Sequence, residues 1–285
     1  MHVLRLGMVV VAVVLGWPSS LWAWGDVGHK IVCEIAFHEL NDTARAKVTE
    51  LIGRDPEFQS FADSCIWPDH PKRRRVEHFL NVERTVATVT SNECPPGAAP
   101  CLLSAIQSDV AVLAGSASDE AKLAALKFLG HWIGDLHQPL HVSFADDQGG
   151  NKIKETGPCD YNLHAVWDNC IIAKVLGADP QEVALILHEE ITDVDRAKWQ
   201  GDVEDVHKWA TESLQITRRA DVRYCVKSGQ TCRYDAQRTT FEGGTPEKTA
   251  HVDQQYLKAH ARVVRLRLQQ AGVRLAHLLN KTLGQ

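Results

Sequence analysis

Apolar residues recur at three- and four-residue spacing, with polar faces between them, over 29–52, 101–115, 119–137, 161–176, 180–190, 195–220 and 250–283. This is the period of an α-helix that packs one side against a core. Asp42, Ser104, Ser118 and Thr249 stand where N-caps are expected, since their short side chains can accept from the free N–H groups of a first helical turn. Two-residue alternation is nearly absent, and Val86–Val89 is the one weak strand candidate. Breakers gather at Cys94-Pro-Pro-Gly-Ala-Ala-Pro-Cys101, which reads as a loop, and 225–246 reads as a second irregular stretch. With no internal repeat and no linker, the pattern predicts one all-α domain over 24–285.

The first 23 residues depart from this pattern. Arg5 precedes the apolar run Met8–Gly16, followed by Pro18, Ser19, Ser20 and the small residue Ala23. That order is the charged region, apolar region and cleavage site of a signal peptide. The run is shorter than the roughly 20 apolar residues of a spanning helix, and no later stretch is long enough either. The expectation is a leader over 1–23 and a mature chain that starts at Trp24, is secreted or periplasmic, and has no membrane anchor.

All eight cysteines lie beyond the proposed cut, as suits an oxidising compartment. Eight cysteines allow about 105 connectivities. Local pairing would join Cys94 with Cys101, Cys159 with Cys170 and Cys225 with Cys232, leaving Cys33 for Cys65. No CxxC pair is present, so the sulfur reads as structural rather than as a zinc finger.

A length of 285 residues, 44% hydrophobic and 24% charged, is ordinary for a globular protein with a sizeable core. The net charge of −5 excludes a nucleic-acid binder that works by bulk positive charge. Any affinity for phosphate would have to be concentrated at a site, and metal ions can supply charge where side chains do not.

Histidines and aspartates supply a candidate for that site. His131 and Asp135 are four residues apart, so a helix puts them on one face, one turn from each other, able to grip one ion. Pro139 ends that helix and frees His141 to turn elsewhere, whereas His137 reads as a hydrogen-bonded core histidine. His164 and Asp168 repeat the four-residue spacing. Asp69, beside a rigid Trp-Pro turn, and His78 nine residues later are further donors, although singly one reads as a helix cap and the other as a buried polar residue. Imidazoles and carboxylates without thiolate suit catalytic zinc, which keeps a position open for water. Cleavage before Trp24 would also free an α-amine able to chelate a metal with its own carbonyl and His29, though Trp24 reads equally as an apolar anchor.

In order, Trp24-Gly-Asp-Val-Gly-His29, Trp67-Pro-Asp69, His78-Phe79, His131-Trp-Ile-Gly-Asp135-Leu-His-Gln-Pro-Leu-His141, Gly149-Gly-Asn151 and Asn162-Leu-His164-Ala-Val-Trp-Asp168 resemble a known family. It is that of the zinc-dependent, single-strand-specific nucleases with 3′-nucleotidase activity of fungi, plants and bacteria, distant relatives of zinc-dependent phospholipases C. The resemblance implies a mostly helical, disulfide-stapled fold and three zinc ions. The first would be held by Asp69, His78, His131 and Asp135, and the second by His141, His164 and Asp168. The amine and carbonyl of Trp24, His29 and the other oxygen of Asp135 would hold the third.

The implied chemistry is phosphodiester hydrolysis to 5′-phosphates, and release of nucleosides from 3′-mononucleotides, by a metal-activated water, with Asp69 and Asp135 as the carboxylates of the catalytic site. Phe79 matches the position that stacks on a base, and Asn151 adds a hydrogen bond. Lys72 lies where an arginine often contacts phosphate, and Asn81 departs from the aspartate common in fungal and plant members. Substrates would be single-stranded DNA, RNA and 3′-nucleotides, turned over by a monomer. The rival readings are a phospholipase C, although the helices carry no basic amphipathic stripe, and a non-catalytic zinc-storage protein.

Overall fold

The computed structural model describes residues 24–284 apart from 160, 223–225, 229–230, 234–238 and 243–244, and the backbone alone within 226–248. The proposed leader and the Cys225–Cys232 pairing lie outside the described residues.

The helix over 119–137 forms as the periodicity predicts. Ser118 caps it, its side chain accepting from the Ala121 amide at 3.3 Å, and it runs Asp119–His137. Every residue from Ala125 to His137 is buried. A helix buried all round is the centre of its molecule, and this one carries His131 and Asp135 into that centre. Helices Asp26–Glu39 and Gln254–Leu283 pack against it and against each other, and Leu102–Ala114 covers another side. We label the helices α1 (Asp26–Glu39), α2 (Asp42–Ile52), α3 (Phe61–Ser64), α4 (Leu102–Ala114), α5 (Asp119–His137), α6 (Leu163–Ala165), α7 (Pro180–Glu189), α8 (Asp193–Trp199), α9 (Val206–Thr217) and α10 (Gln254–Leu283). The fold is mostly helical, with few strands.

Several expected boundaries shift. The 29–52 pattern is two helices, α1 and α2, separated at Leu40 and Asn41, and it is Asn41 rather than Asp42 whose side chain caps α2. Cys101 takes the cap position of α4, with Ser104 closing a reciprocal capping box from three residues inside. The long C-terminal helix is capped by Asp253, which accepts from the Tyr256 amide at 2.7 Å, and not by Thr249, which lies in a strand. The 195–220 pattern is likewise split into α8 and α9. After α6 the helix widens into π turns over Val166–Cys170 and Ile172–Leu176. Val86–Val89 is not a strand.

Strands form where no alternation marks them. β1 (Leu80–Val82) pairs in parallel with β2 (Val142–Phe144), Leu80 opposite Val142 and Asn81 opposite Ser143. This short ladder joins the segment after His78 to the segment after His141. Elsewhere β3 (Ile153–Thr156) pairs in parallel with a late strand, Thr245–His251, whose other edge takes Thr239–Glu242. Part of the stretch expected to be irregular is therefore strand. Disulfides Cys33–Cys65, Cys94–Cys101 and Cys159–Cys170 form as local pairing predicts. Among the described residues, no helix is long and apolar enough to cross a membrane.

Candidate metal centre

Asp69 ends the short 3₁₀ turn Trp67–Asp69, opened by Pro68. That turn is clamped through the indole of Trp67, on which pack the Lys127 ammonium, 4.1 Å from its ring centre, and the Arg73 guanidinium, 3.9 Å away. Lys127 donates to Asp55 Oδ2 at 2.6 Å, and both side chains are buried. Removing one partner of such a pair costs about 3–5 kcal/mol, so the clamp is firm. A second 3₁₀ turn, Arg75–His78, carries His78. Arg74 holds it from behind by pairing with Glu77 and donating to Asp109, whose Oδ2 also accepts from the Trp132 indole at 2.7 Å. Asp109 thereby couples the His78 turn to the residue next to His131.

His131 and Asp135 lie one turn apart on α5, with His131 Nε2 3.4 Å from Asp135 Oδ2. His78 Nδ1 is 3.2 Å from the same oxygen and 3.6 Å from Asp69 Oδ1. The other oxygen of Asp135 is 3.4 Å from His29 Nε2 and 3.5 Å from His141 Nδ1. His164 Nε2 lies 3.4 Å from Asp168 Oδ2, and His141 Nε2 is 3.6 Å from Asp168 Oδ1. Three donor groups result: Asp69, His78 and His131; His141, His164 and Asp168; and His29, His131 and Asp135, all buried.

His29 reaches this centre because residue 134 is glycine. A Cβ there would stand 2.7 Å from His29 Nδ1, so only the bare backbone lets α1 bring that ring alongside α5, where it stacks on His131 with centroids 3.7 Å apart. Trp24 is fully buried beside it, and the Gly25 amide donates to the Asp168 carbonyl at 3.0 Å.

The hydrogen bonds around the rings assign their protons. His131 Nδ1 donates to the Cys65 carbonyl at 2.8 Å, His78 Nε2 to that of Arg73 at 2.9 Å, His141 Nδ1 to that of His78 at 2.6 Å and His164 Nδ1 to that of Gly149 at 2.7 Å. A carbonyl can only accept, so each neutral ring turns a lone pair toward the centre. Two pairs of lone pairs then meet, at 3.1 Å between His131 and His78 and at 3.2 Å between His164 and His141. Added protons do not resolve this. Burial pulls His141 down to about 4 and holds His29, His78, His131 and His164 below the ordinary imidazole range.

The carboxylates pose the complementary problem. Burial raises Asp69, pushes Asp168 up to about 6, and raises Asp135 well above the carboxylate range, where the charges of Asp69 and Asp168 add to the effect. Both oxygens of Asp135, Oδ1 of Asp69, Oδ2 of Asp168 and both nitrogens of His29 have no hydrogen-bond partner among the described residues. Converging buried lone pairs and carboxylate oxygens left without a hydrogen-bond donor fit cations held between them.

The centre opens into a cavity of about 670 Å³ lined by Lys72, Arg75, Phe79, Asn81, Gln148 and Asn151 together with His78, His141 and His164. All four residues expected to bind substrate are therefore brought to one mouth. Lys72 Nζ is 3.4 Å from Asp69 Oδ1, and Asn151 donates to the Gln148 carbonyl at 2.8 Å. The basic run 72–75 is divided: Arg73 and Arg74 serve the turns beneath, and Lys72 and Arg75 face the cavity. His137 points away from the centre, donating to the Ile133 carbonyl and accepting from Arg274 at 2.9 Å.

Residues 24–284 match the family described as S1/P1 Nuclease. The chain belongs to that family. Endonuclease 2 of Arabidopsis thaliana is 31% identical over 301 residues, covering 99% of this chain and 98% of its own. Nuclease S1 of Aspergillus oryzae is 28% identical over 65% of this chain and 67% of its own, and Nuclease P1 of Penicillium citrinum 32% over 54% and 60%.

In this S1/P1 chain several supporting residues escaped the reading of motifs. Gln138 donates its side-chain amide to Asp168 Oδ1 and so aims that carboxylate. Arg84 pairs with the buried Asp147, whose Oδ1 accepts from the Gly150 amide at 2.9 Å. That loop presents the Gly149 carbonyl to His164, and Gly149 sits at φ 64°, where a Cβ would lie 2.4 Å from the Leu140 carbonyl oxygen. Gln138, wedged between a helix end and Pro139, carried a faint signal; Arg84, Asp109 and Lys127 carried none, because their partners are distant in sequence.

Proposed function

We propose that this chain is an exported, zinc-dependent endonuclease that hydrolyses single-stranded DNA and RNA to 5′-phosphate products and also removes the phosphate of 3′-nucleotides. The observation that carries the reading is the convergence of lone pairs from fixed imidazole tautomers on three buried carboxylates, at the floor of a cavity that offers an aromatic ring and two cations. Donors of imidazole and carboxylate without thiolate favour zinc in its catalytic setting. Asp69, His78, His131 and Asp135 would hold one ion, and His141, His164 and Asp168 a second. The freed amine and carbonyl of Trp24, with His29 and Asp135, would hold a third. When bound, zinc makes a water nucleophile available near neutral pH and offsets the charge that builds on phosphoryl oxygens.

The remaining work falls to the side chains. Phe79 offers its face to a base, which is worth roughly 1–3 kcal/mol and tolerates any base. In a duplex that face is already occupied, which favours single strands. Asn81 can donate to and accept from a base edge, and Lys72, Arg75 and Asn151 meet the phosphate. Assays of single-stranded DNA, 3′-AMP and phosphatidylcholine at equal enzyme test the reading. Turnover of both nucleotides is expected, with kcat/KM on DNA reduced roughly 5- to 150-fold in Phe79→Ala. Hydrolysis of the lipid alone would reverse the assignment toward a phospholipase.

The N-terminal ligand has its own test. Trp24 is fully buried against the centre, so a single residue added before it displaces the amine without touching the helices. The extended protein should keep its fold by circular dichroism yet bind one zinc equivalent fewer and lose most activity. Undiminished activity would remove the amine from the site.

A further inference from the structure

We propose that the cleft between β1 and the segment 86–101 is a second nucleobase subsite, one that selects bases carrying an exocyclic amino group. This inference rests on the nuclease reading above. The cleft, about 810 Å³, shares Phe79 and Asn81 with the cavity over the metal centre. Ligand pockets span roughly 300–1,000 Å³, so this space exceeds what one base stacked on Phe79 fills. A base on that ring stands at the junction, and the neighbouring nucleotide of the same strand has the cleft beside it.

The chemistry of the walls decides which part of that nucleotide enters. Val82, Val86, Val89 and Pro95 present apolar surface suited to a flat ring. No lysine or arginine lines the cleft among the described residues, whereas Glu83 and Glu93 do, and both are exposed. Carboxylates repel a phosphate but accept hydrogen bonds from the amino groups of cytosine and similar bases. Lys72 and Arg75 line the other cavity, across Phe79. The base therefore goes in and the phosphate stays at the basic lip.

The cleft is built before any strand arrives. The Cys94–Cys101 disulfide ties two of its lining residues together. Asn92 donates to the carbonyls of Val203 and Glu204 at 3.1 Å each, and Thr211 on α9 bonds both the amide and the carbonyl of Val89. Arg218 donates to the Val86 carbonyl at 2.7 Å. A wall anchored in this way spares the ordering cost that a free loop would impose on binding.

The test compares dinucleotides with trinucleotides extended on either side by adenosine, cytidine, thymidine or an abasic unit, using the zinc-loaded wild-type enzyme. Extension on one side should raise kcat/KM roughly 5- to 150-fold, as stacking one base would. The gain should be larger for adenine and cytosine than for thymine, and absent for the abasic unit. In Glu83→Gln/Glu93→Gln, two exposed positions whose change leaves folding intact, the length gain should persist while the preference for amino-bearing bases narrows. Equal rates for di- and trinucleotides, or a gain that the abasic unit retains, would overturn the subsite and leave the nuclease reading standing. An equal gain for thymine would overturn the role of the two carboxylates. Failure to cleave even dinucleotides and 3′-AMP would instead sink the nuclease reading itself.

Discussion

An Asp135→Asn protein should fold, bind less zinc and lose more than about 100-fold in activity. Its carboxylate stands near four of the imidazoles: Oδ2 lies 3.2 Å from His78 and 3.4 Å from His131, and Oδ1 lies 3.4 Å from His29 and 3.5 Å from His141. The amide is isosteric, so packing around α5 is retained. It removes one full negative charge, however, and puts an N–H donor where a lone pair is needed. Loss of an outer partner of a metal ligand already costs roughly 10–100-fold, and a group shared by two ions should exceed that floor. Elemental analysis alongside hydrolysis rates checks the expectation; unaltered zinc content would show that Asp135 is not shared.

Chelation should destabilise the protein as much as it inactivates it. Stripped of cations, the centre keeps three buried carboxylates whose charged form burial disfavours and imidazole lone pairs that meet at 3.1 and 3.2 Å. An ion present at 1,000 times its dissociation constant stabilises the folded state by about 4 kcal/mol. At roughly 2–4 °C per kcal/mol for a chain of this size, loss of even one such ion lowers Tm by about 10 °C. Calorimetry with EDTA, then with zinc restored, measures the shift. A Tm indifferent to chelator would mean that the lone pairs are satisfied without a metal.

The residues around the centre show which parts of it were legible in the chain. His131 with Asp135, and His164 with Asp168, could be placed because a four-residue interval on a helix is a local geometric fact. The same holds for α5 itself, whose start is set by Ser118 and whose end by the turn into Pro139. Neighbouring cysteines could be paired for a related reason, since a short interval leaves few other partners within reach. Caps were harder: Asn41 and Asp253 displaced Asp42 and Thr249 because capping depends on where the preceding residue leaves the helix, and periodicity locates that only within a few residues.

What the chain by itself determined is the inventory of donors, their pairing along helices, and the mostly helical character of the fold. Those follow from interactions spanning a single turn. Only the tertiary structure decided that His141 donates to the carbonyl of His78, that Gln138 aims Asp168, and that Lys127 and Arg73 both pack on the Trp67 ring. It alone divided the basic run into two half-buried braces and two cavity-facing cations. Those contacts join residues far apart in sequence, and their geometry is set by how buried helices and a short parallel ladder pack, which no local spacing encodes.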